Sequence, residues 1–347
     1  MEKKYSDFRN LLKELKKELE KNSTDTYRKK IEDAFNLYKN RLFIYLGNHK
    51  FENNEELINT VHSNIRRIYN VWADYSKGYI FQSLSRISNL INLIETQKVK
   101  AGESYYRMRI VDAGETMFEE AEMFHIPFNL RGNVKTQRYS LPGFPCLYLS
   151  DSVETAWLEM GQPAFEYFCV SKIKLSEDLQ VLNLAFPYIE DEGLWDNNID
   201  DRKISDYIKN LPLIISCSIR VNESDKNNPF KAEYTIPQMI MLSIMKNKDI
   251  DGCMYSSTKR HEKLQNKHIN LALPAKVANV NETKQGYSSL LSGKFEITKP
   301  IKYNDLIING NAFAVPIWEE DEITKEYNIF LRIEAELKEV KGIKIKN

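Results

Sequence analysis

Three stretches of the chain beyond residue 100 contain the side chains best suited to chemistry. In chain order they provide Arg107 and Arg109, then Arg138, Tyr139, Tyr148 and Glu159, and finally Asp251–Ser257. Guanidinium groups bind phosphate through paired N–H donors, and aromatic rings offer a face for stacking or for a cation. A fixed carboxylate can stabilise positive charge that develops during a reaction. The three stretches therefore contain the residue types of a binding and catalytic site.

Short strands separated by turn signals are predicted for most of the chain after residue 100. The predicted strands are Tyr105–Val111, Cys146–Leu149, Phe165–Ile173, Gln180–Leu184, Leu213–Ile219, Gly252–Ser256 and Ile269–Leu273. One helix is predicted to follow Asp151 and to run to about Met160, with Glu154 completing a capping box, and another follows Thr235. Strands outnumber helices and do not alternate strictly with them, which favours an α+β fold over a doubly wound parallel sheet. The lysine-rich tail, residues 338–347, is predicted to be frayed.

These elements place the candidate side chains near the ends of strands and helices. Arg107 and Arg109 share one face of their strand, because side chains two residues apart point the same way. Tyr148 lies near the end of a strand, and Glu159 lies late in the helix that follows it. Ser257 comes directly after a later strand. We therefore expect a cleft at the ends of these strands and helices to collect the side chains.

Residues 1–100 differ from the rest and are predicted to form a helical bundle. Ile31, Phe35, Tyr38 and Leu42 repeat at spacings of four, three and four residues, which places them on one face of a helix. All 11 prolines lie at or after Pro127, so no proline interrupts these helices. The region has 19 basic and 13 acidic residues, a surplus of +6, which leaves −6 for the remainder. We predict a helical accessory domain over 1–100 and a catalytic domain over 101–347.

The overall composition excludes several classes of protein. The chain has 347 residues, with 49 basic and 49 acidic side chains, and this zero net charge argues against a nucleic-acid or membrane-surface binder. The four cysteines are too few and too widely spaced for a disulfide framework. His261 and His268 lack partners at metal-binding spacing, so we predict no metal. Since no signal peptide or membrane-spanning run is found, we expect a cytoplasmic protein.

The order of the motifs resembles the RES family, which is named for Arg, Glu and Ser. The motifs are Tyr-Arg-x-Arg at 106–109, Arg-Tyr-Ser at 138–140, Leu-Tyr-Leu-Ser at 147–150, Trp-x-Glu at 157–159, Ile-Pro-Gln at 236–238 and Asp-Gly-x-x-Tyr-x-Ser at 251–257. The resemblance covers about half the chain and is strongest to longer members that carry an N-terminal helical extension. It implies a mixed-sheet fold similar to ADP-ribosyltransferases. It also implies an enzyme that splits the nicotinamide–ribose bond of NAD by hydrolysis or phosphorolysis.

The resemblance also assigns individual residues. The family's Arg, Glu and Ser fall on Arg107, Glu159 and Ser257, with Ser256 as the alternative serine. A second arginine with its aromatic neighbour falls on Arg138 and Tyr139. With Arg109 and Tyr148, these two residues are predicted to bind NAD. The family members with a short chain have Asn where this sequence has Ser140, so the role of that position stays open.

The chemistry of NAD accounts for these assignments. Its pyrophosphate suits the arginines, and the ribosyl cation formed when nicotinamide leaves suits a carboxylate such as Glu159. The residues leave open whether water, inorganic phosphate or a macromolecule captures this cation. The alternatives are therefore an ADP-ribosyltransferase acting on a protein or nucleic acid, and an inactive RES-like binding module. No resident cofactor is expected, since NAD is the substrate and phosphate the alternative co-substrate.

The resemblance implies a biological role as well. An enzyme that consumes NAD would act as a toxin or anti-phage effector, and many family members are paired with a helix-turn-helix antitoxin. We accordingly expect an antitoxin or regulatory partner, and self-association into a homo-oligomer.

Overall fold

Two compact units are formed by the chain in a computed structural model. The structure describes residues 2–21, 23–92, 94, 96–111, 117–187, 201–259, 268–278, 281, 286–302 and 322–345. The helical unit comprises residues 1–95, 136–139 and 184–246, and the sheet unit comprises residues 96–135, 140–183 and 247–347. The protein thus combines N-terminal helices with a large β-sheet. Each unit is built from three segments of the chain. The division into domains at 1–100 and 101–347 stays a prediction.

Nine α-helices lie within the described residues. They are α1 Glu2–Leu19, α2 Tyr27–Asn48, α3 Asn54–Ser76, α4 Ile80–Ile91, α5 Val153–Glu159, α6 Asp201–Ser218, α7 Thr235–Lys246, α8 Ser289–Ser292 and α9 Glu322–Glu339. The helical unit contains α1–α4 together with α6 and α7. The predicted apolar stripe of α2 is confirmed, since Ile31, Phe35, Tyr38 and Leu42 are all buried. The Tyr38 hydroxyl also donates a hydrogen bond to the carbonyl of Ile208 in α6, at 2.7 Å.

One strand prediction is wrong because a buried helix was mistaken for a strand. The segment Leu213–Ile219 belongs largely to α6, which contains Pro212 and ends at Ser218. Residues 211–217 are all buried, so the segment is apolar on every side and its helical period cannot be seen in the sequence.

The predicted capping of α5 is also wrong by one residue. Ser152, not Asp151, is its N-cap and accepts a hydrogen bond from the Thr155 amide.

The strands of the described residues form one sheet of ten. They are β1 Thr96–Val99, β2 Ser104–Ile110, β3 Cys146–Ser150, β4 Phe168–Leu175, β5 Leu179–Leu184, β6 Gly252–Ser256, β7 Ile269–Pro274, β8 Phe295–Thr298, β9 Ile301–Lys302 and β10 Gly342–Lys344. Along the sheet the order is β1-β5-β6-β7-β3-β2-β4-β8-β10, and β9 pairs with β4. Every pair with a described register is antiparallel. Apart from the segment that forms α6, every predicted strand overlaps an observed one.

Both faces of the sheet bury apolar side chains, because neighbouring residues of a strand point in opposite directions. Tyr105 lies in one core together with Phe124. Tyr106 lies in the other core, with Trp157 of α5 and Phe330 of α9. Burying a large apolar side chain contributes about 1.5–3 kcal/mol, so these cores hold α5 firmly against the strands. The helix that carries Glu159 is therefore fixed by the packing of its other residues.

The predicted frayed tail is wrong for the residues that the structure describes. Lys338 and Glu339 end α9, and Gly342–Lys344 form β10, which pairs with β8. Ile345 is buried in the first of the two cores. Lysines are common on edge strands because they oppose pairing with other chains, and here they obscure a strand in the sequence. None of the helices among the described residues is both long and apolar enough to cross a bilayer.

Candidate functional site

Arg107 is half-buried, and the described residues supply no acceptor for its guanidinium group. It lies in β2 directly opposite Ser171 of β4. Its Nε and Nη1 atoms are buried and form no hydrogen bond with any described residue. Burial lowers the pKa of Arg107 to about 10, and the nearby Arg109 acts in the same direction. A buried charge without a partner is costly, so this arrangement suits an anionic ligand.

The pairing between β2 and β3 ends beside Arg107. In the described part of the chain β2 and β3 share a single registered pair, Tyr106 with Ser150, whereas β2 pairs with β4 along its whole length. The backbone pairing of β2 with β3 therefore stops at that pair, close to Arg107 on β2 and Tyr148 on β3. Tyr148 is half-buried, and its hydroxyl lies 2.6 Å from the Ser140 hydroxyl. The side chains of Tyr148 and Cys146 are close enough to Arg107 to oppose the lowering of its pKa.

Arg109, in contrast, is already satisfied by the protein. Its Nη1 donates a hydrogen bond to the carbonyl of Glu122 at 2.8 Å. Its guanidinium lies over the ring of Phe118, 4.0 Å from the centroid. A cation on an aromatic face contributes about 0.5–1 kcal/mol where it is exposed. Arg109 thus anchors the segment around Glu122, and its predicted role in binding NAD stays a prediction.

Glu159 is the last residue of α5, and its carboxylate is held from the sheet. Its Oε1 accepts a hydrogen bond from Nδ2 of Asn270 in β7, at 2.8 Å. The Asn270 Oδ1 in turn accepts from the Ser150 hydroxyl at 2.7 Å. Tyr255 lies nearby: burial raises the pKa of its hydroxyl well above the usual value, and the Glu159 and Tyr148 side chains contribute. Tyr148 is therefore an electrostatic neighbour both of Arg107 and of the tyrosine beside Glu159.

Ser257 follows β6 and is joined to Glu159 through Lys259. Its amide donates to the carbonyl of His268 at 2.9 Å, and its hydroxyl accepts from the Lys259 amide at 3.1 Å. The Lys259 ammonium group donates to the backbone carbonyl of Glu159. Both Ser256 and Ser257 are half-buried, so the choice between them stays open. The sheet unit thus brings the Ser257 turn to the end of the helix that carries Glu159.

Arg138 and Tyr139 belong to the helical unit, where both make structural contacts. Arg138 Nη1 donates to the carbonyls of Cys217 and Ile219, at 2.9 and 3.1 Å, just where α6 ends. A cation at this point satisfies free carbonyls and complements the helix dipole. Tyr139 is fully buried, and its side chain is close enough to the Cys217 thiol to influence the pKa of that thiol. The structure explains both residues without NAD, and their predicted binding role stays a prediction.

We expect Arg138→Ala to lower the free energy of unfolding by about 1.5–3 kcal/mol, the usual contribution of hydrogen bonds from a charged donor. Urea unfolding followed by circular dichroism measures this change. Arg138→Lys should lose less, because an ammonium group keeps the charge near the helix end. Unchanged stability together with weaker NAD binding would contradict the structural role.

No group of three or more His, Cys, Asp or Glu side chains is placed to hold a metal ion in the described ranges. His268 Nδ1 lies 3.1 Å from the Thr155 hydroxyl, and its Nε2 lies 3.5 Å from Glu154 Oε1. His261 lies outside the described residues. The absence of a metal from the mechanism stays a prediction.

The geometry defines a protein of mixed α and β structure in which a large, mainly antiparallel sheet presents a half-buried arginine and a hydrogen-bonded glutamate. A family model described as RES domain matches residues 108–287, just over half of the chain. The chain belongs to the RES domain family. The matched region includes Glu159 and Ser257, and it begins one residue after Arg107.

The chain is also similar to a curated bacterial protein. The chain is 31% identical over 252 residues to a candidate toxin named YopC, from Bacillus subtilis (strain 168). The match covers 68% of this chain and 54% of that protein, so the chain spans about half the length of its relative. No solved structure matches the chain, and similarity to the ADP-ribosyltransferase fold stays a prediction.

Proposed function

We propose that this protein cleaves the nicotinamide–ribose bond of NAD and acts as a toxin. In this reaction the bond between C1′ of the ribose and the nicotinamide nitrogen breaks, and its electron pair leaves with nicotinamide. Water then attacks C1′ and releases a proton, which gives ADP-ribose, or inorganic phosphate attacks and gives ADP-ribose 1″-phosphate. An ADP-ribosyltransferase would use a side chain or a nucleic-acid group as the acceptor instead.

The observation that carries the proposal is the guanidinium of Arg107, which has two buried nitrogens. These Nε and Nη1 atoms have no acceptor among the described residues, and Arg107 follows the end of the β2–β3 pairing. Proteins normally pair such a charge, because an unpaired buried ion costs several kcal/mol. A bound pyrophosphate would supply the missing acceptor, and the two diphosphate charges suit a forked donor.

Glu159 would stabilise the ribose of NAD from which nicotinamide departs. Its Oε1 is fixed by Asn270, and no hydrogen bond occupies Oε2 in the described part of the chain. Departure of nicotinamide leaves positive charge on the ribose, and a carboxylate already in place stabilises that charge without reorganising. Ser257, joined to the same helix end through Lys259, would hold the ribose or the amide of nicotinamide.

The biological role rests on the family and on the relative. The name of the Bacillus subtilis protein describes it as a candidate toxin, and an enzyme that depletes NAD would arrest its host. Such an enzyme needs an antitoxin or another regulator, which we propose as its partner. All four cysteines are buried and none forms a disulfide, which fits a reducing compartment such as the cytoplasm, where NAD is abundant.

The proposal is tested by incubating the purified full-length chain with NAD and measuring free nicotinamide by chromatography. We expect release over many turnovers, and the second product separates the acceptors: ADP-ribose for water and ADP-ribose 1″-phosphate for phosphate. A titration with phosphate then shows whether phosphate raises the rate. Radiolabel from NAD on a macromolecule would favour the transferase. If no nicotinamide is released, either with or without phosphate, the proposal is contradicted and a binding module is favoured.

A further inference from the structure

A buried asparagine interrupts the apolar strand β7. Asn270 is 2% exposed, and its strand neighbours Ile269 and Leu271 are buried as well. An amide group in such surroundings costs free energy unless its donors and acceptor are paired. The Asn270 side chain is paired at both ends, to Glu159 and to Ser150.

The direction of the amide follows from its two partners. The carboxylate oxygens of Glu159 accept hydrogen bonds, so the group that faces Oε1 at 2.8 Å is the Nδ2 donor. Oδ1 then faces the Ser150 hydroxyl, which donates at 2.7 Å. Ser150 and Asn270 are opposite each other in the β3–β7 register, so two strands of the sheet fix the amide.

Glu159 needs this support because of its position. It is the last residue of a seven-residue helix, and helix ends fray. A free glutamate side chain rotates about three bonds, and holding it in one arrangement costs about 1.5–2 kcal/mol of entropy. The hydrogen bond from the sheet meets this cost in the folded protein, before substrate binds. It also leaves Oε2 as the oxygen that can face the substrate.

We propose that Asn270, oriented by Ser150, is a positioning residue that holds the Glu159 carboxylate ready for the ribosyl cation. This inference rests on the proposed function and adds to it a residue outside the Arg, Glu and Ser set. A positioning residue acts on the transition state rather than on substrate affinity. Its loss should therefore lower kcat and leave KM for NAD nearly unchanged.

Asn270→Asp is the sharpest variant, because it keeps the shape and the acceptor for Ser150 but replaces the donor with a second carboxylate. We expect kcat for nicotinamide release to fall at least about 100-fold, with KM within about threefold of wild type. Ser150→Ala leaves the amide in place but unanchored, so we expect a smaller loss of about tenfold. Asn64→Asp is the matched control, since Asn64 is a buried asparagine that donates to the carbonyl of Lys209 in the helical unit. Its kcat should stay at the wild-type value.

A second measurement tests the contact without using activity. In the double variant Asn270→Asp with Glu159→Gln the hydrogen bond can form in reverse, from the new amide to the new carboxylate. Its urea midpoint should recover most of what Asn270→Asp loses, although it stays inactive. The inference is overturned if Asn270→Asp keeps the wild-type kcat, or if the double variant is no more stable than Asn270→Asp. If the wild type releases no nicotinamide, the proposed function fails and this inference fails with it. An active wild type with a normal Asn270→Asp variant overturns the inference alone.

Discussion

Glu159→Gln should lower kcat for nicotinamide release by about 100- to 1,000-fold, the range found when one preorganised electrostatic group is removed from an active site. The reason is that glutamine keeps the size of the side chain but cannot offer negative charge to the ribosyl cation. Affinity for NAD should change only a few-fold, because ground-state NAD has no such charge on the ribose. Single-turnover measurements with saturating NAD separate this loss from product release.

Glu166→Gln provides the matched control, since Glu166 is an exposed glutamate shortly after α5. It should retain the wild-type kcat and KM. Urea unfolding of Glu159→Gln should show a folded protein, because the new amide can still accept a hydrogen bond from Asn270. Full activity in Glu159→Gln would show that the central assignment is wrong, whichever acceptor the enzyme uses.

The sequence predicts those elements of the fold in which buried and exposed residues recur with a regular period along the chain. Strand β6 was predicted with its observed bounds, Gly252–Ser256, and the stripe of α2 was predicted from its spacing. The failures have physical causes. The α6 segment is buried all round and loses its period, while β10 is an edge strand whose pairing with β8 depends on residues about 45 positions earlier in the chain.

For the candidate site, too, the sequence predicts some residues and not others. Ordered motifs point to Arg107, Glu159 and Ser257, but they say nothing about the groups that hold them. Asn270 is 111 residues from Glu159, and this contact exists only because β7 pairs beside β3. One signal was present, since asparagine is rarely fully buried and lies here among apolar residues of a predicted strand. Reading that residue as a partner for a distant charge would have required the topology.

The guanidinium of Arg107 lowers the stability of the folded protein when no ligand is bound. At neutral pH its guanidinium is still charged, even though burial lowers its pKa to about 10. Two of its nitrogens are buried without acceptors, and the Ser171 hydroxyl opposite it is also buried and unpaired within the described residues. The folded protein without ligand therefore carries the cost of desolvating a cation. A ligand that pairs with the group removes that cost, which is how such a site gains affinity.

Arg107→Met should consequently change activity and stability in opposite directions. Methionine fills a similar volume without a charge, so the free energy of unfolding should rise by about 1–3 kcal/mol, as when buried ions are replaced by apolar groups. NAD cleavage should fall at least about 100-fold in kcat/KM, equivalent to about 2.7 kcal/mol, because the phosphate contact is lost. Urea unfolding and nicotinamide release, measured on the same preparation, check the two parts.

Arg109→Met distinguishes this trade-off from a general effect of removing an arginine from β2. Arg109 lies two residues along the same strand, but its guanidinium bonds to the Glu122 carbonyl and lies on Phe118. Its replacement breaks interactions that the folded protein already makes, so stability should fall by about 1–3 kcal/mol rather than rise. If both variants lose stability, Arg107 has a structural partner in solution, and the argument for an anion beside it fails. Three results together would establish that the unpaired guanidinium is kept for its ligand. Arg107→Met gains stability and binds NAD more weakly, whereas Arg109→Met loses stability.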